Sequence, residues 1–478
     1  MRETPKPTVL LFFALGLALL ANALLRGAAW GVNVGLWTIA ITGAGALLAR
    51  PHPLRLSPSQ KGFAGAAVLF ALLFSLRDSN ALKIANGFAL LLCVGAMVLP
   101  NSGQSLKEAG VVRLLFGSIG AFFALPGDAY ALAEKVQKER EASPDARERN
   151  RAVVRGLLLA TPLLVVFGAL FSSADAIFRG KIEDVFRFDP DFAAISGHFW
   201  TFLFALLFAG GLLHRILLYT KPTEPPVVRP GFAPFVGIIE IGIVLGSLVL
   251  LFGSFLAVQF RYLFMARDVV NATEGLSYAE YARGGFFELV WVAALALLVL
   301  LGAGALLKRE RPIDDKVYRG LGRLLVVMVF LVVLSALTRM RLYTETYGLT
   351  ELRIYSTVFM VWLTVAFLLL LATTLRGRPQ GFALGIFLAG LSTIALTNFA
   401  NPDALIVRTN LQKPRADFDY LKTLSDDAAL ALRGMGDRVP PEHRAAAQNF
   451  VRRRAETASG GDWRESNLAR WSLGRRGP

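Results

Sequence analysis

Two runs, LLVVMVFLVVLSALT (Leu324–Thr338) and STVFMVWLTVAFLLLLATT (Ser356–Thr374), enclose a stretch of another character, YTETYGLTELRIY (Tyr343–Tyr355). Neither flanking run carries a charge. A helix needs about 20 mostly apolar residues to cross about 30 Å of hydrocarbon. There the backbone must satisfy its own hydrogen bonds, which a helix does. The runs therefore read as consecutive membrane-spanning helices, and the stretch between them as a short outer turn. Within it Gly348 supplies a turn conformation closed to most residues. Thr350 is placed to N-cap the next helix, and Glu351 sets negative charge at that helix's positive end. Tyr343 and Tyr347 suit headgroup depth.

The pattern recurs along the chain. Of 478 residues, 54% are hydrophobic and 18% charged, and the mean hydropathy is +0.51. A soluble protein of this length carries about a quarter charged residues. No segment shows the strict apolar/polar alternation of a membrane barrel. The fold class is therefore all-α, a polytopic transmembrane helical bundle with a small helical C-terminal tail. Candidate spans are 8–25, 30–49, 62–76, 81–99, 152–174, 197–219, 234–258, 285–307, 321–340, 353–375 and 381–399. A further segment, 113–133, has an apolar core of only twelve residues before Pro126-Gly127-Asp128 and reads as interfacial or re-entrant.

Much of the net charge of +16 lies in loops between the spans, where Lys and Arg set topology and meet anionic lipid. Nucleic acid is not the expected partner. In the second half, loops 134–155, 215–230, 308–323 and 376–378 hold 18 Lys and Arg against 9 in the opposite set. The richer set is expected to be cytoplasmic. The first half agrees when 113–133 does not span, which gives eleven spans with the N-terminus inside and the tail outside. Twelve spans with the N-terminus outside is the alternative. The start of the chain, with Arg2 and Lys6 before an apolar run, reads as an uncleaved first helix rather than a secretory signal. The organisation is then N-terminal helices over 1–133, a charged cytoplasmic loop over 134–151, a main bundle over 152–400 and a polar tail over 401–478. In the tail, Ala416–Met435 has the spacing of an amphipathic helix, and a second helix starts at Pro440-Pro441 and ends at Gly460-Gly461. The run Arg452-Arg453-Arg454 sits poorly with an outer location.

On this topology three polar stretches share one face: Gln259–Leu289, Arg339–Tyr355 and Thr397–Asn410. They nominate an outer-face polar cluster of Arg261, Tyr281, Arg283, Glu288, Arg341, Tyr347, Thr350 and Arg353. The arginines offer contacts to an anionic headgroup or solute. Arg353 either snorkels to the interface or pairs with an acid such as Glu288. Glu288 and Glu240 are intramembrane acids, which are costly and usually paired. Ser277 and Glu280 have the capping-box spacing of a short interfacial helix.

No nucleotide-binding glycine loop or serine elbow is present. The four histidines are scattered, the one cysteine (Cys93) lies in an apolar run, and Asp184, Asp189 and Asp191 lack EF-hand spacing. No catalytic residue, cofactor or metal site is expected. Gly31/Gly35, Gly242/Gly246 and Gly381/Gly385 have spacings that permit close helix packing.

Four stretches carry a resemblance: LLLATPLLVVFGALFSSADAIF (Leu157–Phe178), FRYLF with YAEYARGGFFEL, YGLTELRIY, and the tail with NPDALIVRTN, DFDYLKTLSDDA and DWRESNLAR. In these the chain resembles a bacterial family of multi-pass membrane proteins of unknown function. The resemblance implies a bacterial cytoplasmic membrane location and a tail, with its Trp463, Asn467 and Arg470 spacing, that is part of the fold. It brings no activity, substrate or cofactor. Three readings stay open: a transporter or lipid-handling protein with an outer-face pocket, a non-enzymatic scaffold or signalling protein whose tail meets a protein partner, and an enzyme acting on a lipid-linked substrate.

Overall fold

The structure, a computed structural model, describes residues 5–50, 57–99, 110–139, 192–218, 235–264, 286–413 and 417–475, together with Ala160. The described residues form seventeen α-helices and no strand. Among the described residues, nine helices are long and apolar enough to cross a membrane. They are α1 (Pro7–Leu25), α2 (Val32–Ala49), α4 (Asn80–Val98), α7 (Phe192–Leu217), α8 (Ile238–Phe264), α9 (Phe286–Leu306), α10 (Pro312–Tyr347), α11 (Glu351–Ala372) and α12 (Phe382–Ala400). Large apolar side chains lie outward along them, with Leu250, Ile239 and Ile84 at least 70% exposed. In water such a surface would aggregate, whereas against lipid it is matched. The chain is a multi-pass membrane protein.

One expected span differs, and the segment expected to be interfacial or re-entrant is a bent pair of helices. The segment 62–76 forms α3 (Pro58–Leu73), whose 16 residues fall short of the length a span needs. The segment 113–133 becomes α5 (Val111–Phe123) and α6 (Leu125–Glu139), broken at Ala124 with a bend of 48°. The remaining expected span, 152–174, lies outside the described residues but for Ala160, as do Ser277, Glu280, Asp184, Asp189 and Asp191.

The chain divides into two compact units, Met1–Ser57 with Ala121–Thr220, and Pro58–Gly120 with Lys221–Pro478. In the first, α7 packs on α1, α2 and α6. Gly211 of α7 meets the backbone of Leu125, and the adjoining turns are joined by Arg215 Nε to Asp128 Oδ2 at 2.9 Å. In the second, α10 packs between α8, α9 and α11 over a core of Leu245, Phe286, Val329 and Phe367. Of the spaced glycines, the Gly242/Gly246 pair makes no close helix approach. Gly242 and Gly246 face open space, while Gly95 of α4 meets the Ser118 backbone of α5.

The second unit also contains the tail. Its helices are α13 (Pro402–Asn410), α14 (Phe418–Leu421), α15 (Asp426–Gly434), α16 (Pro441–Ser459) and α17 (Leu468–Arg475). The amphipathic stretch expected over Ala416–Met435 is two helices, α14 and α15. Asp417 caps the first through the Tyr420 N–H at 3.0 Å, and Ser425 caps the second through the Asp427 N–H at 3.3 Å. A side chain that accepts from the backbone starts a new helix, so the two caps break the stretch. The tail's own core runs from Ile406 and Leu421 to Leu432 and Leu473, and Ile354 of α11 joins it.

Between two of the apolar helices of this unit, Asn86 of α4 and Asn398 of α12 exchange side-chain hydrogen bonds at 3.0 and 2.8 Å, both fully buried. Asn86→Ala strands half of the Asn398 amide. It is expected to cost about 1–2 kcal/mol, the upper range for interhelical polar contacts in lipid, read as a lower melting temperature of the purified protein in detergent.

Candidate functional site

The helix α10 does not stop where its apolar run stops. It continues for 36 residues to Tyr347, about 54 Å at 1.5 Å per residue. Arg341, Tyr343 and Tyr347 are therefore helical, and the expected turn shrinks to Gly348, Leu349 and Thr350. The polar residues that looked like loop are paired within or beside the helix. Arg341 Nε bonds Glu345 Oε1 at 2.8 Å on an exposed face, and Arg339 Nη2 donates to Gln259 Oε1 of α8 at 2.9 Å. The helix ends at Gly348, whose φ of +75° is disfavoured for other residues. Thr350 accepts from the Arg353 N–H at 3.4 Å as the N-cap of α11.

Asn410, at the end of α13, clasps this turn. Its Oδ1 accepts from the Leu349 N–H at 2.7 Å and its Nδ2 donates to the Leu349 carbonyl at 2.9 Å. The Tyr420 hydroxyl accepts from the Glu351 N–H at 2.8 Å. Turn, α13 and α14 thus enclose a cleft of about 570 Å³ lined by Tyr347, Thr350, Arg353, Lys413, Asp417 and Tyr420, among others. Arg353 donates to the carbonyls of Tyr347 and Gly348, and its guanidinium lies 3.9 Å from the centre of the Tyr343 ring. Lys413 donates to the Glu345 carbonyl.

Of the nominated residues, Tyr347, Thr350 and Arg353 come together at this cleft. Arg341 stays on the exposed helix face. Arg261 lies in the last turn of α8, and Tyr281 and Arg283 lie outside the described residues. Glu288 and Glu240 occupy the first turns of α9 and α8, exposed, with no ion pair among the described residues. Arg353 has two carbonyls and a ring for partners rather than Glu288. A carboxylate at the start of a helix is stabilised there without a cation.

Beside the cleft lies a charged network that sequence reasoning missed. Arg77 and Asp78, between α3 and α4, meet the paired acids that open α15. Arg77 Nη1 bonds Asp427 Oδ1 at 3.1 Å, and its Nε donates to the Asn398 carbonyl at 2.6 Å. Asp78 accepts from Lys83 Nζ at 2.9 Å, Asn467 Nδ2 at 3.0 Å and Arg470 Nη2 at 3.3 Å. Asp426 binds Arg454 Nη1 at 3.1 Å and Arg470 Nε at 3.0 Å.

Environment sets these acids apart. Burial opposes ionisation of Asp78, but the Lys83 and Arg470 charges outweigh it and hold the carboxyl below its usual range. Burial, with the charge of Asp78, raises Asp426 despite its two arginines. Burial likewise raises Asp427 against Arg77, and raises Asp403 against its Ser425 hydrogen bonds. The one available signal for this network was the resemblance itself: NPDALIVRTN contains Asp403 and Asn410, LSDDA contains Asp426 and Asp427, and DWRESNLAR contains Asn467 and Arg470.

The family model of a domain of unknown function (DUF4153) matches residues 64–435. No curated protein and no solved structure matches the chain.

Proposed function

The chain belongs to that DUF4153 family, and on this premise we propose that it handles an anionic lipid headgroup or small anionic solute at the Arg353–Lys413 cleft. The observation that carries the reading is the state of the two cations. Both line the cleft, and among the described residues both bond carbonyl oxygens and neither forms an ion pair. The one carboxylate in the lining, Asp417, is engaged as the cap of α14. Arg353 also sits in the first turn of a spanning helix, at the depth where phosphate headgroups lie. In a bacterial cytoplasmic membrane, anionic phospholipid is the abundant ligand of this chemistry. Transport of a solute would use the same contacts. The tail's carboxylates Asp426 and Asp427 turn inward onto Arg77, Arg454 and Arg470, which weakens the alternative of a tail acting as a free docking arm.

Binding to nanodiscs that contain or lack phosphatidylglycerol tests the reading, with soluble glycerol phosphate as competitor. A charged hydrogen bond is worth about 1.5–3 kcal/mol, so Arg353→Ala or Lys413→Ala is expected to weaken binding about 10- to 100-fold. Binding of glycerol phosphate in discs that lack phosphatidylglycerol points to a solute, and its absence there points to lipid. Equal affinity in wild type and both variants would refute the assignment.

A further inference from the structure

A second cleft, of about 300 Å³, opens between the start of α4 and the tail, and its lining includes Asp78, Glu351, Asp403, Arg454 and Arg470. Its cations are spent. Lys83 and Arg470 hold Asp78, and Arg454 and Arg470 hold Asp426, all at 2.9–3.3 Å. Two of its carboxylates, Asp403 and Glu351, make no ion pair among the described residues. Asp403 is 1% exposed. One of its oxygens, Oδ2, accepts from the Ser425 N–H at 3.2 Å and from the Ser425 hydroxyl. The other, Oδ1, is buried with no hydrogen-bond partner among the described residues. Glu351, whose carboxylate makes no ion pair among the described residues, lines the same space.

An ionised oxygen buried without a donor is among the costliest arrangements a fold can hold. A positive charge in the cleft would complete it. We propose that this cleft binds a monovalent cation between Asp403 Oδ1 and the Glu351 carboxylate, with the hydroxyls of Ser79 and Thr423 in the same lining available as further oxygen ligands.

The lining argues against other occupants. A hard cation takes carboxylate and hydroxyl oxygens, which are present. A divalent ion would face repulsion from Lys83, Arg454 and Arg470, and among the described residues no group of three acids, histidines or cysteines is arranged to hold a metal. An anion would have to displace carboxylates already at bonding distance from those cations. The shared chemistry is a single positive charge, carried either by an alkali ion or by the ammonium group of a small solute or lipid. Burial pushes the Asp403 carboxyl above its usual range, and a resident cation would keep it ionised. The site does not depend on the anion cleft, although Tyr420 links them by lining that cleft and accepting from the Glu351 N–H.

The experiment is thermal melting of the full chain in phosphatidylcholine nanodiscs at constant ionic strength, titrating sodium, potassium or methylammonium chloride against choline chloride. The wild type is expected to show a saturable rise in melting temperature with at least one small cation and none with choline. Saturation by sodium or potassium alone identifies an alkali ion, and by methylammonium alone an ammonium group. Asp403→Asn, which keeps an acceptor for Ser425, is expected to raise the half-saturating concentration at least tenfold, and Glu351→Gln to raise it severalfold. If Asp403→Asn fails to fold, Glu351→Gln decides. Identical curves for all four salts, or a wild-type half-saturation in the variant that decides, overturns the proposal. Stabilisation by acidification alone would do the same, since a proton on Asp403 would then be the occupant.

Discussion

Asp78→Ala is expected to lower stability by about 3–5 kcal/mol, the cost of stranding the partners of a buried ion pair, and to free the tail from the membrane helices. Four groups converge on this carboxylate. Lys83, Asn467 and Arg470 donate from side chains, and the Asp426 N–H donates at 3.3 Å. The Asp78 and Lys83 side chains are only 7% and 12% exposed. Alanine removes the shared acceptor and leaves Lys83 without any carboxylate partner among the described residues. Water cannot easily take its place. Arg470 also loses one of its three acids, keeping Asp426 and Glu465. The measurement is melting in detergent together with trypsin cleavage at Arg452-Arg453-Arg454, which should be faster in the variant. Arg341→Ala is the control, because that pair is 81% and 54% exposed and such pairs contribute about 0–1 kcal/mol. A double variant with Arg470→Ala should cost less than the sum of the singles, because both remove one contact. Unchanged melting and cleavage in Asp78→Ala would show that the network is not what holds the tail.

The contrast between the two clefts explains what could be read from the chain alone. The turn at Gly348 was legible because its rules are local. A glycine ends one helix and a threonine caps the next, so the residues that decide the structure stand within a few positions of each other. Nine of the eleven expected spans were legible for the same reason, since length and apolarity are properties of a run. The helical continuation to Tyr347 was not. Its charges resemble a loop until Arg341–Glu345 is seen as an i,i+4 pair and Arg339 is seen to reach Gln259. The network around Asp78 was hidden for a different reason. Arg77 and Asp427 are 350 residues apart, and nothing near either names the other. Asp403 lies in the first turn of α13, a common place for an acid. Only packing shows that one of its oxygens is buried without a donor.

Packing also sets the second large effect, at a glycine in the first unit. Gly211→Ala is expected to cost about 3 kcal/mol, the upper end of overpacking losses, because α7 crosses α6 with backbone against backbone. A Cβ on Gly211 would lie 2.6 Å from the carbonyl carbon of Leu125 and closer still to its oxygen. No flexible side chain can yield there, so the helices themselves must separate. Separation would strain the neighbouring contacts, Arg215 to Asp128 at 2.9 Å and Lys135 Nζ to the Leu218 carbonyl at 2.9 Å. The adjacent residue supplies the control. A Cβ on Gly210 would meet Ala129 and Ala14 at 3.6 and 3.7 Å, ordinary contact distances. Gly210→Ala should therefore be neutral or gain up to about 1 kcal/mol from helix propensity. Melting of the two variants side by side in one detergent separates close approach from general intolerance of the α7 helix. If Gly210→Ala and Gly211→Ala melt alike, the backbone contact is not what fixes this crossing, and the seam is held instead by the Arg215–Asp128 pair.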